Sequence, residues 1–156
     1  MAAEYNIQKL VDTNRRAVIK FTCNFTSANS ADLTNLVFIR ANTLSGAFAN
    51  LTYYDLAVKE IFYSVKSAGN GRISLSWAGA NTTNNIPMLT LAGGAHVEFT
   101  GNFSPLVNNA PNPNGDILLQ FKNMVEGDSA TVIIDVRKNV QYYDAGQTAD
   151  PDAFKA

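Results

Sequence analysis

The stretch Glu126 to Lys138, EGDSATVIIDVRK, decides how this chain is read. From Ala130 on it alternates. Val132, Ile134 and Val136 share one face, and Thr131, Ile133, Asp135 and Arg137 share the other. Period-2 alternation over this length is the pattern of a half-buried β-strand. The start is ambiguous. Ser129 stands beside Asp128 and Glu126, which suits either a nucleophile among acids or a turn feeding a strand. Gly127 tolerates positive φ, and Asp128 and Ser129 can bond nearby backbone, as turn residues do.

The same alternation recurs along the chain. In AVIKFTCNF, residues Ala17, Ile19, Phe21, Cys23 and Phe25 fall on one face. NLVFIR, Asn35 to Arg40, is a short apolar run suited to a strand buried on both faces. Leu56 to Ser67 puts Ala57, Ile61, Tyr63 and Val65 on one face, interrupted by Lys59. Arg72 to Trp77 aligns Ile73, Leu75 and Trp77. Asn70-Gly71 between these two runs is a strong hairpin signal and predicts that they pair antiparallel. PMLTLAG, closed by Gly93-Gly94, is a further short strand. Next come AHVEFTG, with Val97 and Phe99 opposed to His96, Glu98 and Thr100, and DILLQFK, with Ile117, Leu119 and Phe121 on one face. Ala78 to Asn85 reads as a polar loop, and Asn102 to Gly115 as an irregular connection, because its prolines and asparagines do not sustain a ladder. A short helical turn is expected around Thr43 to Asp55.

About eight short strands with no long amphipathic helix predict an all-β protein, an antiparallel β-sandwich of jelly-roll type. An immunoglobulin-type sandwich is the alternative, without its paired-cysteine spacing. The expected organisation is an N-terminal arm or first strand over residues 1–12, a sandwich domain over 13–138 and a C-terminal tail over 139–156. Met1 to Glu4 and the stretch from Gln147 read as extended or mobile tails.

Composition narrows the function. The chain has 156 residues, 46% apolar and 16% charged, with net charge -1. No basic stripe is present to displace counterions from phosphates, so no nucleic-acid partner is expected. No apolar run approaches the ~20 residues of a membrane span, so no membrane partner is expected either. The N-terminus lacks the basic and apolar regions of a signal peptide. Cys23 is the single cysteine and His96 the single histidine, which excludes an internal disulfide and a cysteine metal site. The sequons at Asn24, Asn50, Asn81 and Asn102 read as chance in a chain rich in Asn, Ser and Thr.

A nucleophilic Ser129 needs a base, and His96 is the only one on offer. Gly-Asp-Ser resembles the block of one esterase family, which carries it near the N-terminus with Asp and His downstream. Here it lies near the C-terminus and no His follows, so the turn reading is preferred. His96 shares its strand face with Glu98 and reads as a surface or interface residue, not a ligand. Glu60, Glu98, Asp116, Glu126 and Asp135 lie in or beside strands, but their spacing selects no glycosidase-type pair. Tyr54, Tyr63, Trp77, Tyr142 and Tyr143 are candidates for a sugar-binding platform. Trp77 continues the Ile73–Leu75 face, which favours the core, and Tyr142-Tyr143 could dock on a partner. No Ca²⁺-loop pattern and no phosphate loop occurs. No catalytic, metal or cofactor residue is therefore assigned, and no cofactor is expected.

The order of elements resembles a group of small virion proteins of tailed phages. The shared features are TNRRAVIKFT, KEIFYSVKSAGNGRISLSWAG, LTLAGGAHVEFTG, NGDILLQF and the closing GDSATVIIDVRK, spanning about Thr13 to Lys138. Gly127-Asp128 and Arg137-Lys138 stand at the two ends of the closing pattern. The resemblance implies a jelly-roll capsid decoration (cement) protein, a structural protein without catalysis. It would bind the major capsid protein as a homo-oligomer, a trimer, on the capsid surface of a virion made in the bacterial host cytoplasm. The alternative is a carbohydrate- or receptor-binding module of a phage fibre or tail.

Overall fold

The computed structural model describes residues 3–26, 36–81, 84–99 and 104–143. Thr100, Asn102 and the stretch from Gln147 lie outside them. The described chain is all-β, with ten strands and one 3₁₀ turn. In order these are β1 (Ala3–Asp12), β2 (Arg16–Phe25), β3 (Leu36–Ile39), the 3₁₀ turn Ala41–Thr43, β4 (Leu56–Lys66) and β5 (Arg72–Trp77). They continue with β6 (Ile86–Leu91), β7 (Gly93–Glu98), β8 (Leu106–Val107), β9 (Ile117–Lys122) and β10 (Ser129–Lys138). The large sheet runs β1-β2-β10-β4-β7, with β8 also on β4; the small sheet runs β3-β9-β5-β6. Every ladder is antiparallel.

The alternation read from sequence sets the core. Ala17, Ile19, Phe21, Cys23 and Phe25 face inward from β2, and Val132, Ile134 and Val136 from β10. Ile73, Leu75 and Trp77 meet them from β5, with Ile117, Leu119 and Phe121 from β9. Aromatic rings bridge the sheets: Phe121 lies 5.7 Å from Phe21 and 5.4 Å, edge-on, from Phe25. Each such fully buried large side chain contributes about 1.5–3 kcal/mol by leaving water. In β3, Phe38 and Ile39 are both buried, while Leu36 and Val37 are half-buried.

Four expectations are corrected. β4 and β5 do not pair; they belong to different sheets. Residues 67–71 therefore cross between sheets instead of closing a hairpin, and neither Asn70 nor Gly71 is left-handed. Secondly, Ala57 is not on the buried face of β4; Leu56 and Val58 are. Asp135 pairs with Glu60 but Val136 with Val58, so Lys59 is the extra residue of a bulge. A bulge shifts the phase of alternation, which moves burial from Leu56 and Val58 to Ile61 and Val65. Thirdly, the helical turn lies at Ala41–Thr43, at the leading edge of the expected stretch and sharing only Thr43 with it. Lastly, Glu4 is not a loose end, since it pairs with Asn24 in β1.

Two polar clusters fasten the sandwich. Asp128, buried just before β10, accepts hydrogen bonds from Ser67 Oγ (2.8 Å), Ala68 N–H (3.0 Å) and Val125 N–H (2.8 Å). At the other end of β10 the Lys138 ammonium is fully enclosed. It donates to Asp12 Oδ1 (2.6 Å), Ser45 O (2.8 Å) and Thr13 O, and sits 5.2 Å from the Tyr143 ring centre. A buried charge is tolerable only with such complete pairing.

Candidate functional site

Ser129 and His96 are not brought together. Ser129 pairs with Lys66 across β10–β4, and His96 pairs with Phe62 across β4–β7. Four residues of strand separate those positions, roughly 13 Å at strand rise. The Gly-Asp-Ser block instead serves as a clasp. Gly127 takes φ +90 and donates to Phe25 O (2.8 Å), and Asp128 O accepts from Phe25 N–H (2.9 Å). Burial alone would raise the Asp128 pKa. The hydrogen bonds from Val125, Ala68 and Ser67 to the charged form outweigh it and hold the carboxyl below its ordinary value.

His96 has closer company than its sequence spacing selects. Its Nε2 is 2.7 Å from Glu60 Oε1 and 3.8 Å from Glu98 Oε1. Strand register explains this: Glu60 lies directly opposite Glu98, and His96 is two residues from Glu98 on the same face of β7. The three donor atoms lie within 4.8 Å of one another. They offer one imidazole and two carboxylates, but all are open to water, with side-chain exposures of 49%, 39% and 55% for His96, Glu60 and Glu98. The geometry is complete as a surface hydrogen bond between His96 and Glu60, and an exposed polar contact of this kind is worth little.

Asp135 continues this acidic row, opposite Glu60 on the other side. It is nearly buried, and burial raises its pKa; Arg16 and Arg137 oppose the rise, Glu60 adds to it and Lys59 reduces it. Arg16 Nη2 lies 3.4 Å from Asp135 Oδ2. Asp116 is also raised by burial, against the Ala41 N–H (2.8 Å) and Arg40. Glu126 lies at the turn before β10 and lines a shallow cleft with Val65 to Ala68, Gly127 and Asp128.

The aromatic platform is not assembled. Tyr54, Trp77 and Tyr143 are buried in the core, and Tyr63 and Tyr142 pack against it. Tyr143 does not await a partner: its hydroxyl donates to Ala41 O (2.8 Å) and its backbone bridges Ala47. Burial pushes its pKa up, with Tyr54, Asp116, Asp12 and Asp55 adding to the rise. Tyr53 and Tyr142 meet edge to face at 5.2 Å, and Tyr53 donates to Asp55 Oδ1 (2.9 Å). Cys23 is buried, and burial pushes its thiol up to about 11, against a smaller lowering from the Ala130 backbone.

Some large apolar side chains are left in water. Tyr5, Ile7 and Leu10 of β1 are exposed, as are Phe62 of β4 and Val107 of β8. No helix among the described residues is long and apolar enough to cross a membrane. Compared with protein-family models, curated proteins and solved structures, the chain matches none of them.

Proposed function

We propose that this protein is a structural component of a tailed-phage virion. In this reading it decorates and stabilises the capsid exterior by binding the major capsid protein lattice as a homo-oligomer, a trimer, without catalysis. The observation that carries the proposal is the nesting of strand pairs, which supports a jelly roll. Leave out β1 and β8, and eight strands remain. The first pairs with the eighth (β2·β10), the second with the seventh (β3·β9), the third with the sixth (β4·β7) and the fourth with the fifth (β5·β6). A long antiparallel hairpin rolled into two sheets has this order, and the fold is common in viral shells. The order of motifs from Thr13 to Lys138 adds the resemblance to phage virion proteins. Fold alone does not fix function, so the motif resemblance supplies the virion part of the reading.

The clasps at Asp128 and Lys138 suit a clamp that must hold its shape under load. They secure both ends of β10, a central strand of the large sheet. The decisive experiment mixes purified protein with phage heads assembled without it. Saturable co-sedimentation and raised thermal resistance of the heads are expected. Absence of binding to such heads overturns the proposal.

A further inference from the structure

We propose that β1 is a self-association edge, pairing antiparallel with β1 of a second copy about a two-fold axis through Asn6. The proposal does not rest on the capsid reading. β1 has β2 on one side and no strand on the other among the described residues. Unpaired edges invite another strand, and natural sheets guard them with short length, proline, bulges or charge. The other edges carry such guards. β3 has four residues and a register shift. β6 contains Pro87, and its register slips beside it. β7 opens with left-handed Gly93 followed by Gly94, and carries His96 and Glu98. β1 has neither proline nor glycine; it carries charges at Glu4, Lys9 and Asp12, yet it pairs regularly over the seven residues Ala3 to Lys9 before its only shift.

Its side chains need a cover. Tyr5 and Ile7 lie opposite Cys23 and Phe21, so they belong to the inward phase of the large sheet. They nevertheless remain 43% and 36% exposed. Tyr5 stacks on Phe21 at 5.9 Å, and Ile7 lines a cleft of about 170 Å³ with Val37 to Arg40. These apolar groups sit at a sheet margin that a second strand would extend.

Symmetry then fixes the register. A two-fold axis normal to the sheet keeps inner face beside inner face, so each residue meets one of the same phase. The regular segment Ala3 to Lys9 is centred on Asn6. Centring there places Asn6 opposite Asn6, Tyr5 opposite Ile7 twice and Glu4 opposite Gln8 twice. No like charges oppose each other, and both apolar side chains gain a cross-strand partner. Centring on Tyr5 shortens the ladder. Centring on Ile7 sets Tyr5 against Lys9, Glu4 against Leu10, and runs into the shift between Lys9 and Val11. The contact is isologous, so it closes on itself, and it can join two larger assemblies as readily as two single chains.

Cysteine cross-linking of the full chain tests the register. Opposed residues on antiparallel strands have Cα atoms about 4.5–5.5 Å apart, within disulfide reach. Asn6→Cys should give a disulfide-linked dimer under mild oxidant. Gln8→Cys should not, since its copies would stand about 14 Å apart along the strands. In the native sequence, Ile7→Lys should halve the mass measured by light scattering while leaving the melting temperature within a few degrees. An Asn6→Cys chain that stays uncrosslinked overturns the proposal. So does Gln8→Cys cross-linking equally well, or a mass that Ile7→Lys does not change.

Discussion

Ser67 Oγ lies 2.8 Å from Asp128 Oδ2, and this one contact joins two connections 61 residues apart in the chain. Ser67 begins the crossing from β4 to β5, and Asp128 ends the turn from β9 to β10. Ser67 Oγ also accepts from Gly69 N–H (3.2 Å) and Gly71 N–H (3.0 Å). The carboxylate therefore organises both connections together. Asp128→Ala removes an ionised acceptor and leaves two backbone N–H groups without it. The expected loss is about 2–4 kcal/mol, since bonds to charged groups contribute ~1.5–3 kcal/mol each and such losses overlap. Urea unfolding measures it.

The same carboxyl gives a pH signature. Its folded pKa is lowered, so its stabilisation is complete above the ordinary carboxylate value and is lost as pH falls through the folded value. Asp135 has the opposite sign. Its folded pKa is raised, so the folded state holds that proton more tightly and stability falls as pH rises through the raised value. Asp128→Asn should thus lose its disadvantage against the native chain at low pH. Asp135→Asn should gain ground on it as pH rises from about 4 toward neutrality. Unfolding curves at several pH values separate the two, and parallel behaviour of both variants would refute the assignment.

Lys138→Met tests the second clasp. The change keeps the length of the side chain and removes the ammonium. Asp12 then loses its 2.6 Å partner, and the carbonyls of Thr13 and Ser45 lose a donor. Breaking a buried pair from one side costs about 3–5 kcal/mol. Lys138→Arg should not rescue it, because a planar fork does not replace a compact ammonium among converging acceptors. Denaturant midpoints of the two variants make the comparison, and a native-like Arg variant would refute it.

Strand phase made most of the core legible in the sequence. Ala17 to Phe25, Ile73 to Trp77 and Val132 to Val136 required only the period-2 rule. What remained hidden depended on contacts between distant segments. The Lys59 bulge reverses the phase of β4; the sequence shows Lys59 interrupting the apolar face, but only the register against β10 makes that interruption a bulge. The Asn70-Gly71 signal misleads, because neither residue takes positive φ and Asp128, far along the chain, holds the segment as a crossing between sheets. The clasps did leave a trace. Asp128 and Lys138 share the phase of Val132, Ile134 and Val136, which marks a charge at each end of β10 as inward-facing. The Glu60–His96 pairing left none, because it depends on the register of β4 against β7.

Gly71 should resist any side chain, for reasons of space. A Cβ there would stand 2.5 Å from Ser67 Oγ and 2.6 Å from Met124 Sδ. Gly71→Ala and Gly71→Val should destabilise by about 1–3 kcal/mol, the range for overpacking. Gly69→Ala is the control, because nothing lies within 4 Å of its Cβ position. Thermal melts of the three variants should show a drop only for the Gly71 pair. An equal drop for Gly69→Ala would point to a general turn effect instead of the packing of Ser67 and Met124.

Cys23 should be silent toward thiol reagents while the protein is folded. It is buried, and its thiol is pushed up to about 11. The reactive species is the thiolate, so at pH 8 only about one thiol in a thousand is ionised, before access is counted. A colorimetric disulfide reagent should report no thiol in the native protein and one after guanidinium denaturation. The native reaction should follow the rate of opening and not reagent concentration when reclosing is slow. Fast native labelling at pH 8 would mean that the β1 edge leaves β2 readily, because Tyr5 and its neighbours lie opposite Cys23.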